Sequence, residues 1–390
     1  MKIAIDLTAF SPRYDGGVGT YSKSLVIAVC ELIDKHSISI LCTSESLDWL
    51  LENLPSKIEI QLISPRHHYL TRLFYGISYH LLVHPLFLKY GQRLRWKECI
   101  KFLKKSSITV IYTPTTYLNF TSKKFINIVS LHDCQEMRYP DFFTKRQLRY
   151  RKVNVINTLK NAHSVQVSSN FVGEEIKFFF PNVSKSTNFI VIKEGVDTKY
   201  YANPIKRRDY RLPILLMPAS FHLHKNHKLV YESMSKLATD TPFEIWFTGL
   251  ENEISINLKK NYTNPSNVTI RYLGFLSKSE LRQSYQLATV VLSTSLYESS
   301  SLPLLEGIST GCVPIASNIP AHVEMSKLLN IKLYESNSSS SLAECIDEVI
   351  FLHNSCDLPG IVEGNNIKIK DFDWGKIAMN YWDNLLKLKH

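Results

Sequence analysis

Residues Thr289–Glu324 read TVVLSTSLYESSSLPLLEGISTGCVPIASNIPAHVE, and this stretch decides the fold. Val290–Val291–Leu292 is a short apolar run between polar residues, the pattern of a buried strand. A serine-rich loop, Ser293–Ser301, follows. Pro303 sits where a helix can begin, because the N–H that proline lacks has no partner in a first helical turn anyway. Gly311 suits the position just past a helix C-terminus. Val313–Ala316 is a second buried strand. Strand, loop, helix and strand in so few residues make one parallel βαβ unit.

Two carboxylates belong to that unit. Glu298 lies in the loop and Glu306 in the first turns of the helix, with seven residues between them. The helix N-terminus between them offers free backbone N–H groups and a partial positive charge, so it suits a phosphate. Carboxylates on either side of such a site can grip hydroxyls, those of a ribose on one side and of a sugar ring on the other. The same two residues also fit a plainer role, one complementing the helix dipole and one solvated. Spacing alone does not separate these readings.

The chain has 390 residues and 44% hydrophobic content, enough for about two domains with full cores. Its formal charge of +11 and pI near 9.1 favour an anionic partner. No RNA- or DNA-binding module is legible, so nucleic acid is not expected. Seven cysteines without a CxxC pair point to neither zinc nor redox chemistry and fit a reducing cytosol. MKIAIDLTAF does not read as a signal peptide, because Asp6 interrupts its apolar run. No apolar run is long enough for a spanning helix. Cytoplasmic location is therefore expected, with contact at the inner face of the membrane. That contact is assigned to residues 66–105, which carry nine Lys or Arg and one acid, Glu98, interleaved with aromatic and aliphatic residues. Such a segment can lie on anionic lipid, although an ordinary helical pair with a core face and a charged face has the same composition.

Alternating strands and helices run along the whole chain. Lys2–Asp6 is a strand, followed by the glycine loop Asp15-Gly16-Gly17-Val18-Gly19 and a helix over 18–33. Ile38–Leu41, Ile58–Ile63, Ser107–Thr113, Asn127–Leu131, Val165–Ser168 and Phe189–Ile192 continue the first domain. Lys145–Lys152 reads as a basic helix, and Ser169 or Asn170 as an N-cap. Lys199–Arg211 reads as a linker. Pro213–Pro218, Phe243–Thr248 and Val268–Tyr272 open the second domain. Ser277 and Glu280 form a capping box. Ser336–Ser341 reads as a surface loop, and helices are expected over 342–352 and 373–388. His222, His224 and His227 are close in sequence, but no local carboxylate or cysteine completes a metal site.

Several of these stretches resemble one family in the same order. E-x7-E, then a short helix and G-x-V-P-I-A-S, resembles the donor-site signature of the retaining family-4 glycosyltransferases of GT-B fold. The common wording there is YEGFGLPLLE. This chain has YESSSLPLLE, with Ser299, Ser300 and Ser301 where the family has its glycines. Serine gives up backbone freedom at positive φ but keeps the amides. Gly16 and Gly17 resemble the family's N-terminal glycine loop, which faces the donor's diphosphate and sugar. HDCQEMRYP resembles its H-D-x5-P segment, which implies that His132 reaches the donor sugar and Asp133 orients it. Glu194-Gly195-Val196-Asp197 resembles its N-G-V-D turn, with Glu194 in the usual Asn position. Lys225 matches the lysine that neutralises the diphosphate. The arginine that usually precedes it is absent, with Ala219 and Ser220 in that neighbourhood, so His224 is expected to assist. Gly274-Phe275-Leu276 resembles the base-contacting turn.

The resemblance implies an α/β chain of GT-B fold, two doubly wound Rossmann-like domains facing a central cleft. The acceptor domain would be 1–197, with helix 374–390 packing back on it, and the nucleotide-sugar domain 198–373. It implies retaining, metal-independent transfer of a hexose from a GDP- or UDP-sugar, without a cofactor, to a saccharide or lipid-linked saccharide. The 132–140 segment points towards mannose and surface polysaccharide. His132, Glu298 and Lys225 are the implied catalytic residues. Gly16, Gly17, Ser220, His224, Lys225, Phe275, Leu276, Ser300, Ser301, Leu302 and Glu306 are the implied donor contacts. The competing expectation is a catalytically silent GT-B protein that binds nucleotide sugars.

Overall fold

A computed structural model of the chain describes residues 2–12, 16–32, 37–63, 96–119, 124–201, 212–355 and 357–387. They form two compact units, residues 1–193 with 375–390, and residues 194–374.

The first unit is built on seven parallel strands: β1 (Lys2–Asp6), β2 (Ser37–Cys42), β3 (Glu59–Leu62), β4 (Ile108–Thr113), β5 (Ile126–Ser130), β6 (Ser164–Val167) and β7 (Asn188–Val191). Their order is β3-β2-β1-β4-β5-β6-β7. The central strands are almost wholly buried, as a parallel sheet covered on both faces requires. Helix Gly17–Glu31 follows β1, and the basic stretch forms helix Lys145–Asn161, capped by Thr144 and Gln147. Ser169 caps helix Asn170–Phe179 through the Val172 amide. The last helix, Trp374–Lys387, places Tyr381 against Tyr112 of β4, ring centroids 4.6 Å apart. Helix Lys97–Lys105 lies within the basic aromatic stretch, and residues 66–95 of that stretch lie outside the described residues.

The second unit has six parallel strands: β8 (Ile214–Met217), β9 (Phe243–Phe247), β10 (Val268–Tyr272), β11 (Val290–Ser293), β12 (Val313–Ser317) and β13 (Lys332–Tyr334). Their order is β10-β9-β8-β11-β12-β13. Residues from Glu194 onward group with this unit because Val196 bridges Asp373 and Gly195 packs against Trp374. The linker's first residues form the turn of helix Thr198–Tyr201, and 202–211 lie outside the described residues. One expectation is corrected. Ser336–Ser341 is not all loop, because Ser338 caps helix Ser339–Asn354 and Ser339–Ser341 make its first turn. Serine is a strong N-cap, so a serine run just before an apolar period marks a helix start. No described helix is long and apolar enough to cross a membrane.

Both sheets reverse strand order next to their first strand, β1 beside β4 and β8 beside β11. Loops on either side of such a point leave in opposite directions and open a crevice at the carboxyl ends of the strands. In the second unit the crevice is set by helix Leu302–Ser309, which lies directly on β11. A Cβ at Gly307 would stand 2.5 Å from Val291 Cγ1. Gly311, at φ +89°, ends the turn that follows.

Gly307→Ala should therefore cost about 1–3 kcal/mol through overpacking. Adding Val291→Ala should recover part of that loss, so the double variant is less destabilised than the sum of the singles. Urea unfolding of the four proteins checks this, and strict additivity would mean that the helix does not rest on Val291.

Candidate active site

The loop after β8 and the loop after β11 meet at the switch point of the second unit. The Leu296 amide donates to the His224 carbonyl at 2.7 Å, and the Thr294 hydroxyl donates to the Lys225 carbonyl at 2.7 Å. Asn226, at φ 52°, turns the chain in the left-handed region before helix His227–Met234. These ties aim Lys225 across the crevice. Its ammonium meets Glu298 Oε1 at 2.5 Å, and the Ser295 hydroxyl donates to the same oxygen at 2.6 Å.

The electrostatics follow from one cation among several buried groups. Burial acts to raise the Glu298 carboxyl, but Lys225 and Ser295 outweigh it and hold the group below the ordinary carboxylate range. Glu194 lies on the other side. Burial pushes it up to about 8, and the charge on Glu298 adds to this, while Ser300 and Lys225 oppose it. His322 is fully buried, and its Nδ1 lies 2.9 Å from the Ser317 carbonyl, so Nδ1 carries the hydrogen and donates. Its Nε2 has no hydrogen-bond partner. Burial lowers this imidazole's pKa, against the pull of Glu298, so the ring is neutral.

Glu306 stands on helix Leu302–Ser309, held by the Tyr285 hydroxyl at 2.9 Å and by the Tyr201 hydroxyl. Burial raises its pKa despite both bonds. The helix N-terminus between the two glutamates is uncapped: Ser301 makes no capping hydrogen bond, and the first turn has no acid. Pro303 has no N–H, and the Leu304 and Leu305 amides donate to the Ser301 carbonyl, so what this end offers an anion is the Leu302 amide and the positive end of the helix dipole. Ser301 and Leu302 are both buried there. Among the described non-glycine residues only Asn226 and Asn337 have positive φ, so the serine loop does not depend on the glycines it replaces.

The remaining donor contacts named from sequence fall around this crevice or outside it. Ser220 is exposed in the β8 loop, where Gly249, at φ +96°, lets the chain approach: a Cβ there would be 2.8 Å from Ser220 Cα. Phe275 is 59% exposed beside Gly274, which has φ +69°, and Leu276 is half-buried. His224 stacks on His222, with centroids 5.7 Å apart, while His227 turns inward onto the Ala219 carbonyl and the Phe221 ring. Burial drives the His227 pKa down to about 3.

In the first unit, Gly16 and Gly17 line a pocket of about 780 Å³ at that sheet's own switch point. The loops after β1 and β4 form it, with Thr8, Phe10, Tyr117, Asn119 and Tyr150 among its walls. Asp6, buried at the end of β1, ties the two loops by accepting from Thr8 and from Asn119. His132 follows β5. Its Nε2 donates to the Pro114 carbonyl at 2.9 Å, and its ring stands edge-on to Tyr21. Burial lowers its pKa, so the ring is neutral with Nδ1 as the acceptor. Asp133 does not fix this ring as expected. Its carboxylate is taken by Arg151, which also binds Glu136, and Pro114 fixes the imidazole instead.

Sequence reading missed Glu194, His322, Tyr201 and Tyr285 as parts of the second-unit cluster. Only Glu194 left a signal, as the acid that replaces an amide in the N-G-V-D-like turn.

Residues 203–357 match the family described as glycosyl transferases group 1. The matched stretch lies within the second unit. A curated relative, O-antigen chain mannosyltransferase B of Escherichia coli, is 21% identical over 325 residues, which are 79% of this chain and 80% of that protein. Sucrose-phosphate synthase from Thermosynechococcus elongatus superposes with a TM-score of 0.73 at 16% identity, covering 100% of this chain and 99% of that one. Anabaena HepE, solved with UDP and glucose, gives 0.68 at 15% identity, covering 99% of this chain and 100% of the other. The fold is GT-B, with two Rossmann-like domains of seven and six parallel strands.

The Lys225–Glu298 pair has a pH signature. Glu298 is held below its ordinary value, 4.5, so the stabilisation it gives is present above that value and lost as pH falls through it. Lys225→Met should therefore destabilise the protein by roughly 2–3 kcal/mol at neutral pH. The deficit should close as the solution becomes acidic enough to protonate Glu298. Urea midpoints of the two proteins across the acid range test this, and a deficit independent of pH would place the loss elsewhere.

Proposed function

We propose that this glycosyltransferase moves a hexose, with retention and without a metal ion, from a nucleoside-diphosphate sugar to a saccharide hydroxyl. The observation that carries the proposal is the Lys225–Glu298 pair beside the uncapped N-terminus of helix Leu302–Ser309. A departing diphosphate would be met by the Lys225 ammonium and by the positive end of the helix dipole. Preorganised donors of this kind are worth about 3–4 kcal/mol each in a dry site. Glu306 would hold the ribose diol, a contact equal in ground and transition states. Glu298 would lie against the donor sugar and the departing phosphate. His132, neutral and with Nδ1 as acceptor, would face the sugar near its anomeric carbon. The departing phosphate itself would assist attack from the same face.

The acceptor would occupy the first-unit pocket, whose aromatic and amide side chains suit a saccharide. The O-antigen chain mannosyltransferase similarity supports mannose and a surface-polysaccharide acceptor, saccharide or lipid-linked, and the HepE complexes with UDP and UDP-glucose support a nucleoside-diphosphate donor, which would be a GDP- or UDP-sugar. A peripheral position at the inner membrane face would suit a lipid-linked acceptor. Exposed Lys97, Lys101, Lys104 and Lys105 on helix Lys97–Lys105 support that placement.

Steady-state transfer in EDTA, beside calorimetric nucleotide affinity, tests the two glutamates. Glu306→Ala should weaken nucleoside-diphosphate binding by about tenfold to a hundredfold, since a hydrogen bond to a charged group is worth about 1.5–3 kcal/mol. Glu298→Ala should bind nucleotide nearly normally and lose kcat, because uniform and transition-state binding separate in this way. Equal losses of affinity in both would reverse the assigned roles, and turnover that needs an added divalent ion would remove the Lys225-centred scheme.

Flotation tests the membrane assignment. The chain should rise with anionic vesicles at low salt and release as salt screens the charge. Binding to neutral vesicles alone would contradict it.

A further inference from the structure

The first-unit pocket holds polar atoms that the fold leaves without partners. Ser22 is 1% exposed, and its Oγ makes no hydrogen bond. Thr115 Oγ1 is also buried and unpaired. Both residues line the pocket. Buried hydroxyls are normally satisfied, so two in the lining of one pocket point to a ligand that supplies their partners. Asn154 lines the same pocket from helix Lys145–Asn161. Its Nδ2 is spent on the Tyr150 carbonyl at 2.8 Å, and its Oδ1 has no partner among the described residues.

A third amide in the lining, Asn119, is held in one orientation. Its Nδ2 donates to Asp6 Oδ2 at 3.3 Å and to Thr8 Oγ1 at 3.1 Å. The two ends of an amide are nearly the same size, so their order is set by what the partners can do. Asp6, as a carboxylate, only accepts. The Thr8 hydroxyl gives its one hydrogen to Asp6 Oδ1 at 2.5 Å, so towards Asn119 it also only accepts. The Thr8 amide, donating to Asp6 Oδ1 at 3.0 Å, keeps the carboxylate in place. Turning the Asn119 amide over would set its oxygen against two acceptors. Nδ2 therefore stays on Asp6 and Thr8, and Oδ1, which has no partner among the described residues, is left as a hydrogen-bond acceptor on a residue that lines the pocket. Asp6 is itself buried beneath these groups and acts only through them.

We propose that this pocket selects an uncharged pyranose and that Asn119 is its specificity-determining residue, with Oδ1 accepting a hydrogen bond from one ring hydroxyl. Asp6 and Thr8 are positioning residues that decide which end of the amide the sugar meets. Amide oxygens at Asn119 and Asn154 take hydroxyl hydrogens and repel the oxygens of a phosphate or a carboxylate, while the Ser22 and Thr115 hydroxyls can donate or accept. Tyr117 and Tyr150, edge to face with ring centroids 6.1 Å apart, give the apolar face of the sugar a wall. The proposal rests on the reading of this pocket as the acceptor site, and names the chemical class it takes and the residue that chooses it.

Saturation-transfer NMR and calorimetric titration of the full chain test this. The probes are methyl α-mannopyranoside and methyl α-glucopyranoside, their 6-phosphates, and their monodeoxy and deoxyfluoro analogues. The better-bound neutral glycoside should bind about tenfold or more tightly than its 6-phosphate. One monodeoxy analogue should bind the unaltered chain about three- to tenfold more weakly than its parent, the worth of one neutral hydrogen bond. Fluorine at that position, which cannot donate, should not restore binding. In Asn119→Ala the parent glycoside should weaken by a similar factor, and the same deoxy analogue should then bind as well as the parent. Asp6→Asn frees the amide to turn, so it should shrink the penalty at that one hydroxyl and leave the penalties at the others unchanged. If Asp6→Asn does not fold, the Asn119→Ala cycle decides. A deoxy penalty that persists in Asn119→Ala, rescue by fluorine, or tighter binding of the 6-phosphate would each overturn the proposal. Tyr150→Ala reports on the pocket separately. Binding lost in Tyr150→Ala but unchanged in Asn119→Ala would keep the acceptor pocket and overturn the role of Asn119. Binding that neither variant changes, or no binding of any glycoside, would overturn the reading of the pocket as the acceptor site, and this proposal with it.

Discussion

One ammonium, Lys225, must serve a buried pocket that holds two carboxyls. Removing a charge from water without a partner costs several kcal/mol, so the groups sort themselves into one ion pair and one neutral acid. Glu298 takes the lysine and ionises more readily than usual; Glu194 keeps its proton. The backbone is arranged around that pairing. The His224 carbonyl is tied to the Leu296 amide and the Lys225 carbonyl to Thr294, so the two loops move as one. The cation is not idle: Glu298 occupies Lys225, and any anion arriving at the uncapped end of helix Leu302–Ser309 would compete with that carboxylate.

The location of the pairing is a consequence of topology. A right-handed parallel sheet that starts in its middle must reverse order beside its first strand, and only there do adjacent loops diverge. Both units have this arrangement, with different contents. At β8 and β11 the crevice holds charge and amides. At β1 and β4 it holds aromatic rings, hydroxyls and amide side chains, ordered by a buried aspartate, Asp6. The two crevices thus differ in chemistry, and neither requires the other's residues to form.

Strands and their order of appearance were legible because buried parallel strands are continuous apolar runs, as in Val290–Leu292 and Val313–Ala316. Capping at Ser277 and Ser169 was legible because it depends on residues three apart. The carboxylate pair was legible only as a spacing, and the lysine partner only through resemblance, because Lys225 and Glu298 lie 73 positions apart. Tyr201, Tyr285 and His322 left no local sign: an aromatic or an imidazole in an apolar neighbourhood reads as core, and their hydroxyls and ring nitrogens acquire meaning only once Glu306 and Ser317 are placed beside them. Asp133 shows the opposite failure. Adjacency to His132 suggested a partnership, but successive residues diverge, and a guanidinium on the Lys145–Asn161 helix reached the carboxylate first.

The serine loop shows how a departure from a familiar pattern can be compensated without being neutral. Glycine is required only where φ is positive or where another atom crowds the Cβ, and neither Ser299, Ser300 nor Ser301 has positive φ. The backbone therefore reaches its place with side chains attached. What changes is the chemistry added to the pocket. Ser300 adds a half-buried hydroxyl, and Glu194 adds a buried acid where the family wording has an amide. The two departures therefore change the polar groups of this crevice and leave the path of its backbone as it is.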